Sequence, residues 1–567
     1  MNIEVCQPLK EIFRSIDGRS YKSYKILQGK TFQFPPFQIV FEHIQGDPFA
    51  FPSRISVSVD LTTAGFSPSF YENGLKRLAF EDHLLRVLHG NIGKARVKIR
   101  GSGKSGQVRV QVPGQKILRR NAVLVEGDRL QCILFAGLPA DGRRVLGGEC
   151  LRLFEEILAP LWAQSLLAAS LDLAALKRSL DNLEDYMALR KQLDSKGWVA
   201  FIADGSVLPR ESGVSDRPLE TGGIPFQAPT ELSAVVELPH AGSVTGMPVP
   251  RGITLIVGGG FHGKSTLLRA IQHAVYPHVV GDGRERIATV DSAVKIRAED
   301  GRAVRPVDVS AFMNRLPLVK STRNFSTQST SGSTSQAVNI LEAIEAGSRF
   351  LLLDEDTCAT NFMIRDARMQ ALIAVDKEPI TPFIDRVKEI HDAFGVSSLL
   401  VMGGSGDYFA PAHFVVSMEE FKPHVMTRRA KEIVKETGLA ERKKEALSSF
   451  QPVALRRIDP GKLNFRRGKK DCVIQAQGLL TLTLGTTEVD TRYVEQLVEA
   501  GQLETCGWIL KQLRDLLTET DCSNFEGLRM IYEEMDRKGL DILTPYNTGL
   551  LALPRIQDTL AVLNRLR

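Results

Sequence analysis

The chain has 567 residues, 43% of them hydrophobic and 24% charged, with a net charge of +6. This balance is ordinary for a soluble globular protein, is only mildly basic, and leaves enough chain for about three or four packed domains. Seven cysteines without a CxxC pair exclude a zinc ribbon and a disulfide framework and point to reduced thiols in the cytoplasm. A membrane span is not expected: residues 157–176 are the most apolar stretch, and Gln164, Ser165, Ser170 and Asp172 interrupt it, so it reads as a buried or amphipathic helix. The first fifteen residues lack the basic-then-apolar order of a signal peptide.

In chain order, an N-terminal α+β domain is expected over 1–195, with strands near 32–41 and 54–61, a helix near 71–87 and helices from 150 to 193. Between Arg86 and Arg144 stand thirteen Lys or Arg against three Asp or Glu. Residues 95–100 (ARVKIR) alternate apolar and basic, so as a strand they bury Val97 and Ile99 and present Arg96, Lys98 and Arg100 on one face. GSGKSGQ then turns the chain into a second strand at 108–112, and the predicted hairpin adds Lys104 and Arg109 to a cationic surface suited to a phosphate backbone. The expected partner is RNA or single-stranded nucleic acid, held by its charge, since few aromatics are interleaved for stacking on bases. GSGKSG is not a phosphate loop itself, because the earlier glycine and the following helix are missing. A second basic group, Arg456, Arg457, Arg466, Arg467, Lys469 and Lys470, either extends this surface or forms an exposed loop.

A Pro-, Gly- and Ser-rich linker at 208–230 leads into an α/β core over 196–435. Strand 253–257 is followed by GGGFHGKST: Gly258, Gly259, Gly260, Phe261, His262, Gly263, Lys264, Ser265 and Thr266. Strand, glycine loop with the Walker A spacing, and helix (267–275) together form a phosphate cradle, in which inward amides and the helix N-terminus face the anion. ATP is the expected ligand, with Lys264 neutralising the β and γ phosphates and Ser265 ligating Mg2+. His262 is read as a filler of the loop apex.

The apolar run 350–353 ends in Asp354 and Glu355, the form of a Walker B strand: Asp354 holds Mg2+ and Glu355 orients and deprotonates the attacking water. Upstream of it, the Ser/Thr tract 321–336 runs into a helix at 337–346, so Ser331, Gly332 and Ser333 sit at a helix N-terminus as a second anion site with exposed hydroxyls. A further strand, 396–402, ends in Gly403, Gly404, Ser405, Gly406 and Asp407. A C-terminal α+β domain over 436–567 opens with a charged helix (430–446), continues with strands near 472–484 and closes with helices from 493 onward.

An anion site just ahead of a helix and a Walker B strand is the layout of ABC ATPases, and the chain resembles the predicted ATPases of the ABC class. The segments that carry the resemblance are 43–55, 137–144, 203–210, 258–268, 281–285, 331–337, 351–366, 378–383 and 403–408, with the terminal ALPR and NRLR. It implies a P-loop ABC-type core rather than a transporter subunit, ATP hydrolysis, and a homodimer in which Ser331 to Ser333 of one copy clamp the nucleotide of the other. From Lys264 to Gly332 is 68 residues, short for a transporter cassette, so a reduced helical subdomain is expected. Ser405 or Asp407 takes the place of the transporters' switch histidine. Asp308 and Ser310 are the nearest candidates for the Q-loop, Phe226 for stacking on adenine, and Thr360, Asn361 and Arg365 for the dimer interface.

Overall fold

The computed structural model describes residues 5–94, 96–314, 321–364, 379–437, 450–451 and 453–566. They divide into two compact units. The first comprises Met1–Glu184 and Lys538–Leu553, the second Asp185–Arg537 and Pro554–Arg567.

The first unit is built on an antiparallel sheet in the order Thr31–Phe34, Phe37–His43, Ser53–Asp60, Arg129–Ala136, Val108–Arg109, with Val123–Glu126 also paired to Arg129–Ala136. Period-two alternation places Phe37, Ile39 and Phe41, and Ile55, Val57 and Val59, in the core. Trp162 packs edge-on to Phe34 at 5.8 Å and Phe154 lies 5.8 Å from Phe41, so the helical segment 147–166 covers this face. That segment is not one helix: a π-helical turn, Leu153–Leu158, leads into Ala159–Leu166. Residues 538–553 complete the unit. Gln111 Nε2 donates to the carbonyls of Leu550 and Leu551 at 3.0 and 3.2 Å, and the Leu551 amide donates to Asn121 Oδ1 at 2.8 Å.

The expected basic hairpin does not form. Residues 96–100 are not a strand, Val97 is 38% exposed, and Val108–Arg109 pairs with Ala136 and Phe135 instead. The reason lies in the connecting loop, whose backbone is committed elsewhere: the amides of Ser102, Lys104 and Gly106 donate to Ala140, Pro48 and Gly137 at 2.7 to 2.8 Å. It lies so close over Gly137 that a Cβ there would stand 1.8 Å from the Lys104 carbonyl oxygen. The loop packs back on Ile99 through Gly106, but with these amides bonded elsewhere no ladder forms between 96–100 and 108–109.

The second unit is organised around a six-stranded sheet. Its strands are β1 (Ile253–Val257), β2 (Ala293–Ile296), β3 (Phe350–Asp354), β4 (Ser397–Val401), β5 (Phe414–Glu419) and β6 (Lys422–Val425), in the spatial order β2-β3-β4-β1-β5-β6. The first five run parallel and β6 returns antiparallel. β3 and β4 are buried along their whole length, as strands covered on both faces must be. Helices α1 (Lys264–His273) and α2 (Gly332–Glu345) follow the glycine loop and the Ser/Thr tract, and Ala337, Val338 and Leu341 of α2 join Leu351, Leu353 and Leu400 in the core. α2 begins five residues before the expected start because Ser331 caps it.

A second sheet, Ala234–Leu238, Gly242–Pro250, Trp198–Ala203 and Ile287–Thr289, is antiparallel. Towards the C-terminus a three-stranded sheet (Ile474–Gln477, Thr481–Leu484, Thr487–Asp490) packs against α3 (Ala500–Glu519), where Gly507 allows close contact with Ile474 and Leu482. The chain ends with α4 (Ile556–Leu563). No helix among the described residues is long and apolar enough to cross a membrane.

Candidate nucleotide-binding site

The order β3-β4-β1 puts one strand between the glycine loop and the acidic strand end, and all three point their C-terminal ends the same way. In open parallel sheets ligands bind beyond those ends. Gly258 leaves β1 with φ 135°, and a Cβ there would meet the Met418 carbonyl oxygen at 2.4 Å. Gly263 is left-handed (φ 89°) and starts α1. Phe261, also at positive φ (64°), is fully exposed at the apex. His262 Nδ1 accepts from the Glu420 amide at 2.9 Å, tying the loop to the β5–β6 turn. Lys264 folds over its own loop, Nζ donating to the carbonyls of Gly258 (2.7 Å) and Gly259 (2.6 Å). Ser265 and Thr266 are half-buried in the first turn of α1.

Asp354, 7% exposed, ends β3, and its Oδ1 accepts from the Asp356 amide at 3.4 Å. Glu355 turns toward the loop after β4: its Oε2 accepts from the amides of Gly403 (2.5 Å) and Gly404 (3.0 Å). A Cβ on Gly403 would lie 3.8 Å from that oxygen and 4.0 Å from Lys264 Nζ, so the lysine, the glutamate and the loop converge. Sequence reasoning weighed this loop for its side chains and missed its amides, although the paired glycines were the signal. Ser405 and Asp407 face each other, with Oγ donating to Oδ2 at 2.7 Å. Lys295 on β2 was also missed. Its Nζ donates to Thr357 at 3.2 Å, and burial holds its ammonium below the ordinary lysine range against the opposing pull of nearby acids, Asp354 among them.

At the start of α2 the Ser331 side chain is an N-cap, accepting from the Thr334 amide. Its hydroxyl lies 3.2 Å from that of Ser333 and 3.1 Å from that of Thr334. Only Ser331 of this group is exposed. Ser333 and Thr334 are buried, so the row of open hydroxyls expected here is reduced to the cap and the helix terminus. Gln336 is fully buried and accepts from the Ala359 amide at 2.7 Å, which joins α2 to the segment after β3. Thr360 and Asn361 are exposed in that segment, and Arg365 lies outside the described residues.

Other assignments need correction. Phe226 is 2% exposed and offers no face for a base, its backbone being hydrogen-bonded to Gly205 and Ser206. Asp308 and Ser310 bond to each other and line a cavity that shares no residue with the glycine loop. Arg456 is largely buried and pairs with Glu342 and Glu345, so it does not extend the surface of the first unit's cations. Arg466, Arg467, Lys469 and Lys470 are exposed. In the first unit Arg96, Lys98, Arg100 and Arg109 are exposed; Arg100 Nε also lies 3.2 Å from Glu149, and Lys104 stands 5.9 Å over the Phe51 ring.

Three family models cover nearly all of the chain: the N-terminal domain of ATPases of the ABC class at 6–169, the ABC ATPase P-loop domain at 172–454, and the MRB1590 C-terminal domain at 473–567. The chain belongs to the ABC-class ATPases. An uncharacterized protein of Methanocaldococcus jannaschii is 30% identical over 234 residues, or 40% of this chain and 51% of the relative, so this ABC-class ATPase spans about half the length of the curated relative it matches. Among solved structures, cbiO1 from Clostridium perfringens, described as part of an ABC transporter complex, aligns with 43% of the chain and 95% of its own, at 14% identity and a TM-score of 0.26.

The donor set fits a magnesium nucleotide. A lysine ammonium, a helix N-terminus and two hard oxygen donors, Ser265 and Asp354, stand at the C-terminal ends of β1 and β3, on the same end of the sheet.

Proposed function

We propose that the chain binds and hydrolyses ATP, and that the convergence of Glu355, Lys264 and the Gly403–Gly404 amides carries this reading. Residues Gly258 to Thr266 would cradle the phosphates, Lys264 exchanging two carbonyl oxygens for the β and γ phosphate oxygens. Ser265 and Asp354 would hold Mg2+, which neutralises phosphate charge when bound. Glu355, oriented by two amides, would take the proton of the attacking water. Two copies would pair around the nucleotide, Ser331, Gly332 and Ser333 of each facing the nucleotide of the other. Ser405 and Asp407, at the end of β4, would sense the γ-phosphate. Seven unpaired cysteines accord with a cytoplasmic setting.

In this reading the nucleotide state gates a grip on RNA or single-stranded nucleic acid, with Arg96, Lys98, Arg100, Lys104 and Arg109 as phosphate contacts; the local excess of cations supports it. One observation favours a second reading, an ATP-locked scaffold with little turnover: Ser405 and Asp407 pair with each other and supply no imidazole or cation. ATPase assays of wild type and Glu355→Gln, with and without RNA, together with light scattering, separate the two. Turnover that responds to RNA and an ATP-trapped Glu355→Gln dimer support the gated grip. Dimerisation with ATP but without turnover in wild type supports the scaffold. Absence of ATP binding overturns both.

A further inference from the structure

The second unit contains a cavity of about 870 Å³ bounded by Leu341 of α2, by the 305–311 and 453–462 segments and by the end of α4. Cavities of this size accommodate small organic ligands. Arg305, Arg323, Arg456, Arg457 and Lys462 line it against two acids, Asp308 and Asp459. Both acids are occupied locally, Asp308 by the Ser310 amide and Asp459 by the Gly461 amide, each at 2.9 Å. Arg323 and Lys462 are exposed, and among the described residues neither side chain has a hydrogen-bond or ion-pair partner. Val307, Leu341 and Leu563 supply an apolar wall.

A second observation points the same way. Asn564 is 3% exposed and lines both this cavity and a smaller one bounded by Lys295, Glu495 and Gln496. Its Oδ1 accepts from Arg456 at 3.0 Å, which fixes the amide orientation, and its Nδ2 is a buried donor with no partner. Buried donors are seldom left without an acceptor.

We propose that this cavity binds a phosphorylated organic anion of nucleotide size at a site distinct from the glycine loop. Arg323 and Lys462 meet its phosphates, Asn564 supplies a buried donor, and the apolar wall takes its organic part. Arg456 connects the site to α2, because its guanidinium bonds Glu342 and Glu345 of that helix, the first of them at 3.3 Å. A ligand phosphate competes for Arg456 and biases the helix whose first turn carries Ser331. Binding here is independent of the ATPase reading, whereas an effect on turnover rests on it.

The test titrates the full chain with the fluorescent nucleotide MANT-ATP and counts sites. Wild type is expected to bind two equivalents, Lys264→Ala one, and Arg323→Glu/Lys462→Glu one. In the Lys264→Ala background, inorganic tripolyphosphate displaces the remaining equivalent, and adding either Ser310→Glu or the Arg323/Lys462 pair weakens it at least tenfold. Both altered cations are exposed, and thermal melting confirms that the variants fold. One equivalent in wild type and none in Lys264→Ala overturns the cavity site and leaves the glycine loop standing. One equivalent retained in Lys264→Ala and lost in the cation pair leaves the cavity standing while the glycine loop fails. Loss of a labelled oligonucleotide alone in the cation pair, with MANT-ATP unaffected, also overturns the proposal.

Discussion

Glu355 accepts hydrogen bonds from the Gly403 and Gly404 amides through one carboxylate oxygen, while its other oxygen lies 3.0 Å from where a Cβ on Gly404 would stand. The acid is therefore aimed by backbone, and a methyl group at 404 would push it out of line. Gly404→Ala is expected to lower ATP turnover at least tenfold with ATP affinity held within about threefold, read by steady-state kinetics and nucleotide titration. Equal turnover in the variant would show that the amides do not position the base.

Glu355→Gln keeps the shape of the side chain and removes its basicity. Turnover is expected to fall by about 10²- to 10⁴-fold, the usual contribution of a general base. ATP binding should persist, as measured by equilibrium titration.

Arg96, Lys98 and Arg100 are exposed, and Arg100 also pairs with Glu149. The double variant Arg96→Glu/Lys98→Glu therefore tests nucleic-acid binding without disturbing that pair. Affinity for single-stranded RNA is expected to fall about equally across sequences. If each side chain meets one phosphate, the slope of log affinity against log salt should flatten by about 0.7 for every phosphate no longer neutralised. An unchanged slope would remove these residues from the interface.

Asp282 is fully buried, bonded to His278 Nδ1 at 2.6 Å and to Arg210 at 2.8 Å. Burial pushes its carboxyl upward, but His278 and Arg210 outweigh that and hold it below the usual range. Stability from this group is thus complete above the unfolded value of about 3.9 and is lost as pH falls through the lower folded value. Asp282→Ala is expected to cost about 3 kcal/mol at pH 7, because it strands a buried cation. In urea unfolding the gap between wild type and variant should close below about pH 3.9, and a gap that widened there would contradict the assignment.

The same ion pair shows how much the sequence could tell. Segments 203–210 and 281–285 were visible as family features without a role, and the fold gives them one: Arg210 binds Asp282, and the Arg284 guanidinium is buried on the Leu208 carbonyl. Such pairings join residues about seventy apart, beyond the reach of local periodicity. The phosphate loop and the acidic strand end were legible because strand, glycine spacing and helix are contiguous. Residues 96–100 misled because alternation specifies a face only where a partner strand is available. Phe226 was chosen by position in the chain, whereas burial decides whether a ring can stack.

Residues 538–553 have a consequence for biosynthesis. The first unit draws hydrogen-bonding partners for Gln111 and Asn121 from a stretch more than four hundred residues downstream. A nascent chain that emerges N-terminus first cannot complete its first unit when that unit leaves the ribosome, and must wait until nearly all of the second has been made. Fragments ending near residue 184 would leave Gln111 and Asn121 without these partners, so dissection of this protein should graft 538–553 back onto the N-terminal piece.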